Sequence, residues 1–446
     1  MGPLNDADRA ALLARRRFLA GLGAAPLAAG LATPSHAAAR ATAQSSARIV
    51  IVGAGAAGLA AANQLAERVQ GARIIVVDAR KQHHYQPGYT LVAAGIKPRD
   101  YVLSATGSYL PRGVEWVEEA AAEIDPEGRK VVTASGKSVP YDFLIVATGL
   151  ELNYGAIEGM EVSRIGQNGL GSVYYSPEAA EATWRAMSAF ADQGGVGLFG
   201  RPLGDMKCAG APLKYTFITD DYLRRRGNRG KAQMIYMAQN NVLFSVPIVS
   251  EKVRMLFLDR DVKVNYQHVL KSIDLGKRIA TYKTPDGTVE QGYDFINVVP
   301  PMRAPAVVRN SPLPWKEGPM AADGWAEVDR GNLRHKRYPQ VFCVGDVAGV
   351  PKGKTAASVK WQVPVAVDHL VGELNGKPST EVYNGYTSCP LITRLGQAML
   401  IEFDYKDNLV MSFPGVIAPL EELWISWVMK TMALKPTYIS MLRGRA

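Results

Sequence analysis

Arg48-Ile49-Val50-Ile51-Val52-Gly53-Ala54-Gly55-Ala56-Ala57-Gly58-Leu59 is the stretch that decides the fold. Its first five residues form an apolar, β-branched run, the pattern of a strand buried on both faces of a parallel sheet. The glycines that follow are spaced G-x-G-x-x-G, and Leu59 to Val69 has the Ala/Leu/Glu composition of a helix. A second apolar strand, Arg73 to Val77, ends at Asp78, about 20 residues beyond Gly58. Strand, glycine turn, helix, strand and acid make a complete dinucleotide-binding unit. Gly53 permits the tight turn, Gly55 lets the backbone approach a pyrophosphate, and Gly58 lets the helix pack close to the sheet. Ala56 and Ala57 sit where the helix N-terminus offers free N–H groups and partial positive charge to that pyrophosphate. Asp78 is placed to accept hydrogen bonds from the adenosine ribose.

Working outward, Tyr141-Asp142-Phe143-Leu144-Ile145-Val146-Ala147-Thr148-Gly149 is another acid-led apolar strand, closing on Thr148 and Gly149. Tyr338-Pro339-Gln340-Val341-Phe342-Cys343-Val344-Gly345-Asp346 closes on Gly345 and Asp346. These two segments resemble the flavin-contacting elements of flavoproteins with two dinucleotide-binding domains. That resemblance implies that the first glycine turn binds FAD and that Asp346 holds the ribityl chain. Lys354, Thr355 and Ala356 then open a helix whose dipole would stabilise negative charge on the flavin.

Flavoproteins of this kind that use NADH carry a second glycine fingerprint in the middle of the chain. Here the strand Gly195-Val196-Gly197-Leu198-Phe199 runs into Gly200-Arg201-Pro202-Leu203-Gly204, which is not that turn. The next strand, Ala232 to Met237, continues as Ala238-Gln239-Asn240, without an acid for a ribose. The middle domain is expected to be Rossmann-like in shape, with no functional nucleotide site and no electrons from NAD(P)H.

In place of a phosphate loop stands Met206-Lys207-Cys208-Ala209-Gly210-Ala211-Pro212. A loop at a strand's C-terminal end faces the flavin, and Lys207 beside Cys208 would favour the nucleophilic thiolate. Far along the chain comes Tyr386-Thr387-Ser388-Cys389-Pro390-Leu391, where Pro390 stiffens the turn around a second cysteine. Together with Glu402-Phe403-Asp404-Tyr405-Lys406 and the tail Tyr438 to Gly444, these motifs resemble sulfide:quinone oxidoreductase of the mitochondrial type, in order, over about residues 48 to 445. The resemblance implies a cysteine next to the flavin at Cys208 and a sulfide-receiving cysteine at Cys389. It carries contacts with non-covalent FAD to Ala56, Ala57, Asp78, Gln86, Ala121 and Asp346. It also implies sulfide, a membrane quinone and a sulfane-sulfur acceptor as partners. The chain departs from many microbial members in lacking an upstream third cysteine, and its own third, Cys343, reads as packing inside a strand. Two alternatives stand beside this reading: the flavin subunit of a flavocytochrome c sulfide dehydrogenase, and a flavin-binding protein without turnover.

The remaining features bound these expectations. The 446 residues carry a net charge of +10, but no basic run is interleaved with aromatics, so nucleic acid is not an expected partner. Arg15-Arg16-Arg17-Phe18-Leu19, a short apolar stretch and Ser35-His36-Ala37 fit a twin-arginine export signal over residues 1–40, with an uncleaved anchor as the alternative. The mature chain would then be periplasmic. Leu420, Leu423, Trp424, Trp427 and Val428 recur at helical spacing near Lys430 and Lys435, suiting a helix that lies in a membrane interface. The alternative is a helix packed on the protein. Phe403, Tyr405 and Phe413 are candidates for a quinone pocket, with core positions as the alternative. His83 and His84 have no further ligands at metal spacing, so no metal site is expected. The expected architecture is α/β. An FAD-binding domain is split between 47–160 and 301–375, and a second Rossmann-like domain with Cys208 spans 161–300. A C-terminal membrane-interface region with Cys389 spans 376–446.

Overall fold

The computed structural model describes residues 41–445; the candidate export signal lies outside them. Five parallel strands form the first sheet: β1 (Arg48–Val52), β2 (Arg73–Val77), β3 (Glu115–Val117), β4 (Phe143–Val146) and, from far along the chain, Val341–Cys343. Their spatial order places Val341–Cys343 at one edge, then β4, β1, β2 and β3. The sheet thus joins residues from both segments assigned to FAD binding, and in it Cys343 pairs with Val146. Ile49, Val50, Ile51, Leu144 and Phe342 are all buried, as strands covered on both faces require.

Helix α1 (Ala56–Arg68) starts directly at the glycine turn. A Cβ on Gly58 would lie 1.7 Å from the Gly53 carbonyl oxygen, so only glycine lets the helix begin so close to the strand.

The second sheet is also parallel. Its central strands are β5 (Gly195–Gly200) and β6 (Ala232–Met237), flanked by Val262–Asn265 on one side and by Phe295–Asn297 and Leu170–Gly171 on the other. After β5 no helix begins until α2 (Ala211–Arg225), and the intervening loop carries Cys208.

Helix α3 (Ala356–Leu374) is capped by Thr355, whose hydroxyl accepts from the Ser358 amide at 3.1 Å. It is followed by an antiparallel pair, β7 (Thr387–Arg394) and β8 (Gln397–Phe403). The chain ends in α4 (Trp424–Val428), a π-helical turn (Met429–Ala433) and α5 (Leu434–Leu442). This end is docked on α1, where Asn63 Nδ2 donates to the Leu442 carbonyl at 2.9 Å. Among the described residues no helix is long and apolar enough to cross a membrane.

Candidate active site

One cavity of about 240 Å³ begins at the glycine turn, with Gly55, Ala56 and Ala57, and extends to Cys208. Thr148, Gly149, Gly345, Asp346, Lys354, Thr355, Ala356 and Gln86 also line it, so most of the residues assigned to FAD from sequence surround one space. The residues fit that group. The Thr148 Oγ1 is buried with no partner, an acceptor and donor left for a ligand. The N-terminus of α3, at Thr355 to Ala357, opens on the same space and offers its dipole to an anionic ring.

Asp78 and Ala121 do not line the cavity. Asp78 accepts the Ala54 amide at 2.6 Å and is gripped by the Arg80 guanidinium at 2.7 Å, so it buttresses the turn. Burial opposes its ionisation, but Arg80 and the amides hold its carboxyl below the usual range. Ala121 opens the strand Ala121–Asp125 in a separate three-stranded sheet. Gly53 and Gly58 likewise act through the backbone of the turn rather than as lining.

Cys208 and Cys389 meet, although they are far apart in sequence. Their thiols hydrogen-bond to one another, the largest influence on either. Cys208 lines the cavity; Cys389 is buried behind it, while its neighbours Ser388 and Pro390 face the cavity, as strand alternation requires. Gly210 makes the meeting possible: a Cβ there would lie 2.3 Å from the Cys389 Sγ. Cys208 has φ +49, a left-handed conformation that costs a side-chain-bearing residue energy. Its amide donates to the Lys354 carbonyl at 3.0 Å and its carbonyl accepts from the Tyr174 hydroxyl at 3.1 Å, which hold it there.

The two thiols are electrostatically unequal. Cys208 is held well below the ordinary thiol range, chiefly by the Cys389 hydrogen bond and, against burial, by the charges of Lys214 and Lys430. Cys389 is pushed well above it by the bond to Cys208 and by burial. The principal cation is not the adjacent Lys207, which instead donates to Gln86 Oε1 at 2.7 Å and is lowered to about 8 by burial. It is Lys214, in the first turn of α2, whose Nζ donates to Cys208 Sγ at 3.3 Å. A lysine among Leu213, Tyr215, Phe217 and Ile218 was the available sequence signal.

Lys430 corrects a second expectation. It does not face a membrane but is 3% exposed, donates to the Pro87 carbonyl at 2.7 Å and lines the cavity. Burial and then Lys214 lower it to about 7. The π-helical turn carries it inward, at a place where such turns recur in functional sites. Tyr438 also reaches the cavity from the C-terminal end and binds His83 Nε2 at 2.8 Å. His83 and His84 are cavity walls, and no metal-binding group occurs among the described residues.

The three quinone candidates are not brought together at the cavity. Phe403 is buried edge-on against Phe244, with ring centroids 5.7 Å apart. Tyr405 donates to the Arg330 carbonyl at 3.1 Å, and Phe413 is exposed. Cys343 is fully buried, and burial pushes its thiol up.

Residues 47–185 match a family model described as pyridine nucleotide-disulphide oxidoreductase. The chain is 35% identical to the mitochondrial sulfide:quinone oxidoreductase of Dictyostelium discoideum, over 89% of this chain and 86% of the relative. It is 34% identical to the mitochondrial enzyme of that name from Mus musculus, over 85% and 83%. The sulfide:quinone oxidoreductase structure from Aquifex aeolicus shares the fold, with a TM-score of 0.74 at 21% identity over 89% of this chain and 92% of that one. By these relatives the chain belongs to the sulfide:quinone oxidoreductases, FAD-dependent enzymes of sulfide oxidation.

Proposed function

We propose that this protein oxidises sulfide through Cys208 and Cys389 and passes the electron pair through FAD to a membrane quinone. The observation that carries this reading is the unequal thiol pair at the end of the cavity. HS⁻ attacks the sulfur on Cys389 of a disulfide joining the two cysteines. That bond breaks, leaving a persulfide on Cys389 and a thiolate at Cys208. Exchange is faster when the leaving sulfur is the better-stabilised thiolate, and Lys214 Nζ donates to Cys208 Sγ, which favours Cys208 as the leaving sulfur and Cys389 as the sulfur-bearing one. Lys214 and Lys430 stabilise the released charge. A sulfane-sulfur acceptor removes the outer sulfur, and the two thiolates re-form their disulfide by giving up two electrons. FAD, when bound, supplies the two-electron carrier between that pair and quinone.

Two further parts of the reading concern location. Met411, Phe413, Val416 and Met432 are exposed, and Leu423 and Trp424 half-buried, which supports peripheral attachment to a bilayer. Against this, Leu420 and Trp427 of the apolar stripe pack on the core. Residues 1–40 are read as an export signal to the periplasm. Arg15→Lys with Arg16→Lys should retain the protein in the cytoplasm, and undiminished export would remove that reading.

The decisive experiment is anaerobic titration with sulfide while the flavin spectrum is followed. Bleaching within one or two equivalents supports the proposal. A spectrum that sulfide leaves unchanged points to a flavin protein without turnover.

A further inference from the structure

Outside the thiol site, a hydrogen-bonded chain joins the wall of the cofactor cavity to the molecular surface. Ser388 lines the cavity, and its hydroxyl lies next to that of Tyr386. Tyr386 donates in turn to Glu402 Oε1 through a short hydrogen bond. Ser412 Oγ donates to the same oxygen at 2.6 Å, and the Ser412 amide donates to Oε2 at 3.0 Å. Strand register builds this arrangement, because Ser388 of β7 lies opposite Glu402 of β8 while Cys389 points to the other face.

Three properties distinguish the chain from an ordinary structural network. Glu402 is only 4% exposed, and the three groups that donate to it are neutral. Both ends are open, one at the cavity and one at exposed Ser412. The surface end is apolar around its hydroxyl: Met411 and Phe413 flank Ser412 and are exposed, and the exposed Trp361 ring lies 5.5 Å from that of Tyr386. Hydroxyls and a carboxyl group thus make a polar path from the surface toward the cavity wall on this side.

We propose that Ser412, Glu402, Tyr386 and Ser388 form a proton relay serving the quinone half of the reaction; this rests on the sulfide:quinone reading above. Reduction of a quinone to quinol takes two electrons and two protons. The electron pair comes from the reduced cofactor. In one passage Glu402 gives its proton to Tyr386, Tyr386 gives its own to Ser388, and Ser388 delivers one at the cavity wall. Water at Ser412 then reprotonates Glu402, and a second passage supplies the second proton. Each hydroxyl can both donate and accept, and Glu402, which only accepts here, becomes a donor to Tyr386 once it is protonated from the surface.

The test separates the two half-reactions in the holoenzyme. Wild type, Glu402→Gln, Glu402→Asp and Tyr386→Phe are reduced anaerobically with sulfide and then mixed with a short-chain ubiquinone. The relay predicts flavin reduction by sulfide within about twofold of wild type, and reoxidation by quinone slowed about tenfold or more in Glu402→Gln and Tyr386→Phe. Glu402→Asp should restore part of the rate. The solvent deuterium effect on reoxidation should be present in wild type and lost in Glu402→Gln. A carboxyl band in reduced-minus-oxidised infrared spectra should vanish in the same variant. Should Glu402→Gln fold poorly or lose flavin, Ser412→Ala decides, since it removes only the surface end and should still slow reoxidation. Wild-type reoxidation in Tyr386→Phe and Ser412→Ala, or an infrared spectrum unchanged by Glu402→Gln, overturns the relay. A wild-type flavin that sulfide does not reduce overturns the functional reading, and the relay with it.

Discussion

The two parallel sheets of this molecule have similar strands and opposite fates. In the first, α1 begins within the glycine turn, and its N-terminus opens on the cavity. In the second, β5 runs into Gly200-Arg201-Pro202, and α2 waits until Ala211. The space at the end of β5, lined by Gly200, Arg201, Pro202 and Met237, is only about 30 Å³. The strands make a sheet in either case; nucleotide capacity resides in the few residues between strand and helix. Releasing α2 from the strand end frees a loop that the second domain uses to carry Cys208. One sheet thus carries the glycine turn of the cavity, and the other brings Cys208 to that same cavity.

The largest effects should come from removing what each sheet contributes. Gly58→Val should abolish FAD retention, because its Cβ would collide with Gly53; purified protein without flavin absorbance is the expected result. Cys208→Ser should keep flavin yet lose sulfide-dependent flavin reduction by about a thousandfold or more. Cys389→Ser should behave alike in turnover. If Cys389→Ser retains turnover while Cys343→Ser abolishes it, the working pair is wrong.

Next in size is the cation site. Lys214→Met should raise the Cys208 pKa toward the ordinary thiol value. Since the thiolate is the reactive form, the pH profile of flavin reduction should shift to the alkaline side, with a loss of about tenfold at pH 7. Lys430 is charged below about 7 and neutral above it. Its contribution to the thiolate should therefore weaken as pH rises through 7, and Lys430→Met should erase that inflection. An unchanged profile in both variants would show that the lysines only pack.

A qualitative contrast between the sheets follows from their turns. NADH should leave the flavin oxidised under conditions where sulfide bleaches it. Acid or heat precipitation should release the FAD into the supernatant, since no cysteine occurs between Tyr85 and Leu91 to link it. Flavin retained by the pellet would favour the flavocytochrome alternative.

The smallest expected effect is at the other buried thiol. Cys343→Ser places a hydroxyl inside the first sheet and should cost about 1–3 kcal/mol in urea unfolding while leaving kcat nearly intact.

Local sequence was sufficient for the first glycine turn, the strand that ends at Asp78, the altered turn after β5 and the helix that opens near Thr355. Each is a short-range problem, in which spacing along the chain fixes which backbone groups face the ligand. Cys208 and Cys389 could also be singled out locally, by their flanking residues. That they touch, and that the first is the more acidic, depended on packing between α2 and β7, which no local pattern encodes. Lys430 shows the difference most directly. Beside tryptophans in a C-terminal stripe it has the signature of an interfacial charge. The π-helical turn and the docking of the C-terminal end on α1 instead bury it against the thiols. The quinone candidates Phe403, Tyr405 and Phe413 were chosen by residue type, and the pleat and loop geometry scattered them. Sequence thus determined the two parallel sheets and singled out the two cysteines as candidates, because these rest on near-neighbour geometry. Tertiary structure alone decided which charges surround those atoms, because a buried charge acts through distances that the chain sets only when its far ends meet.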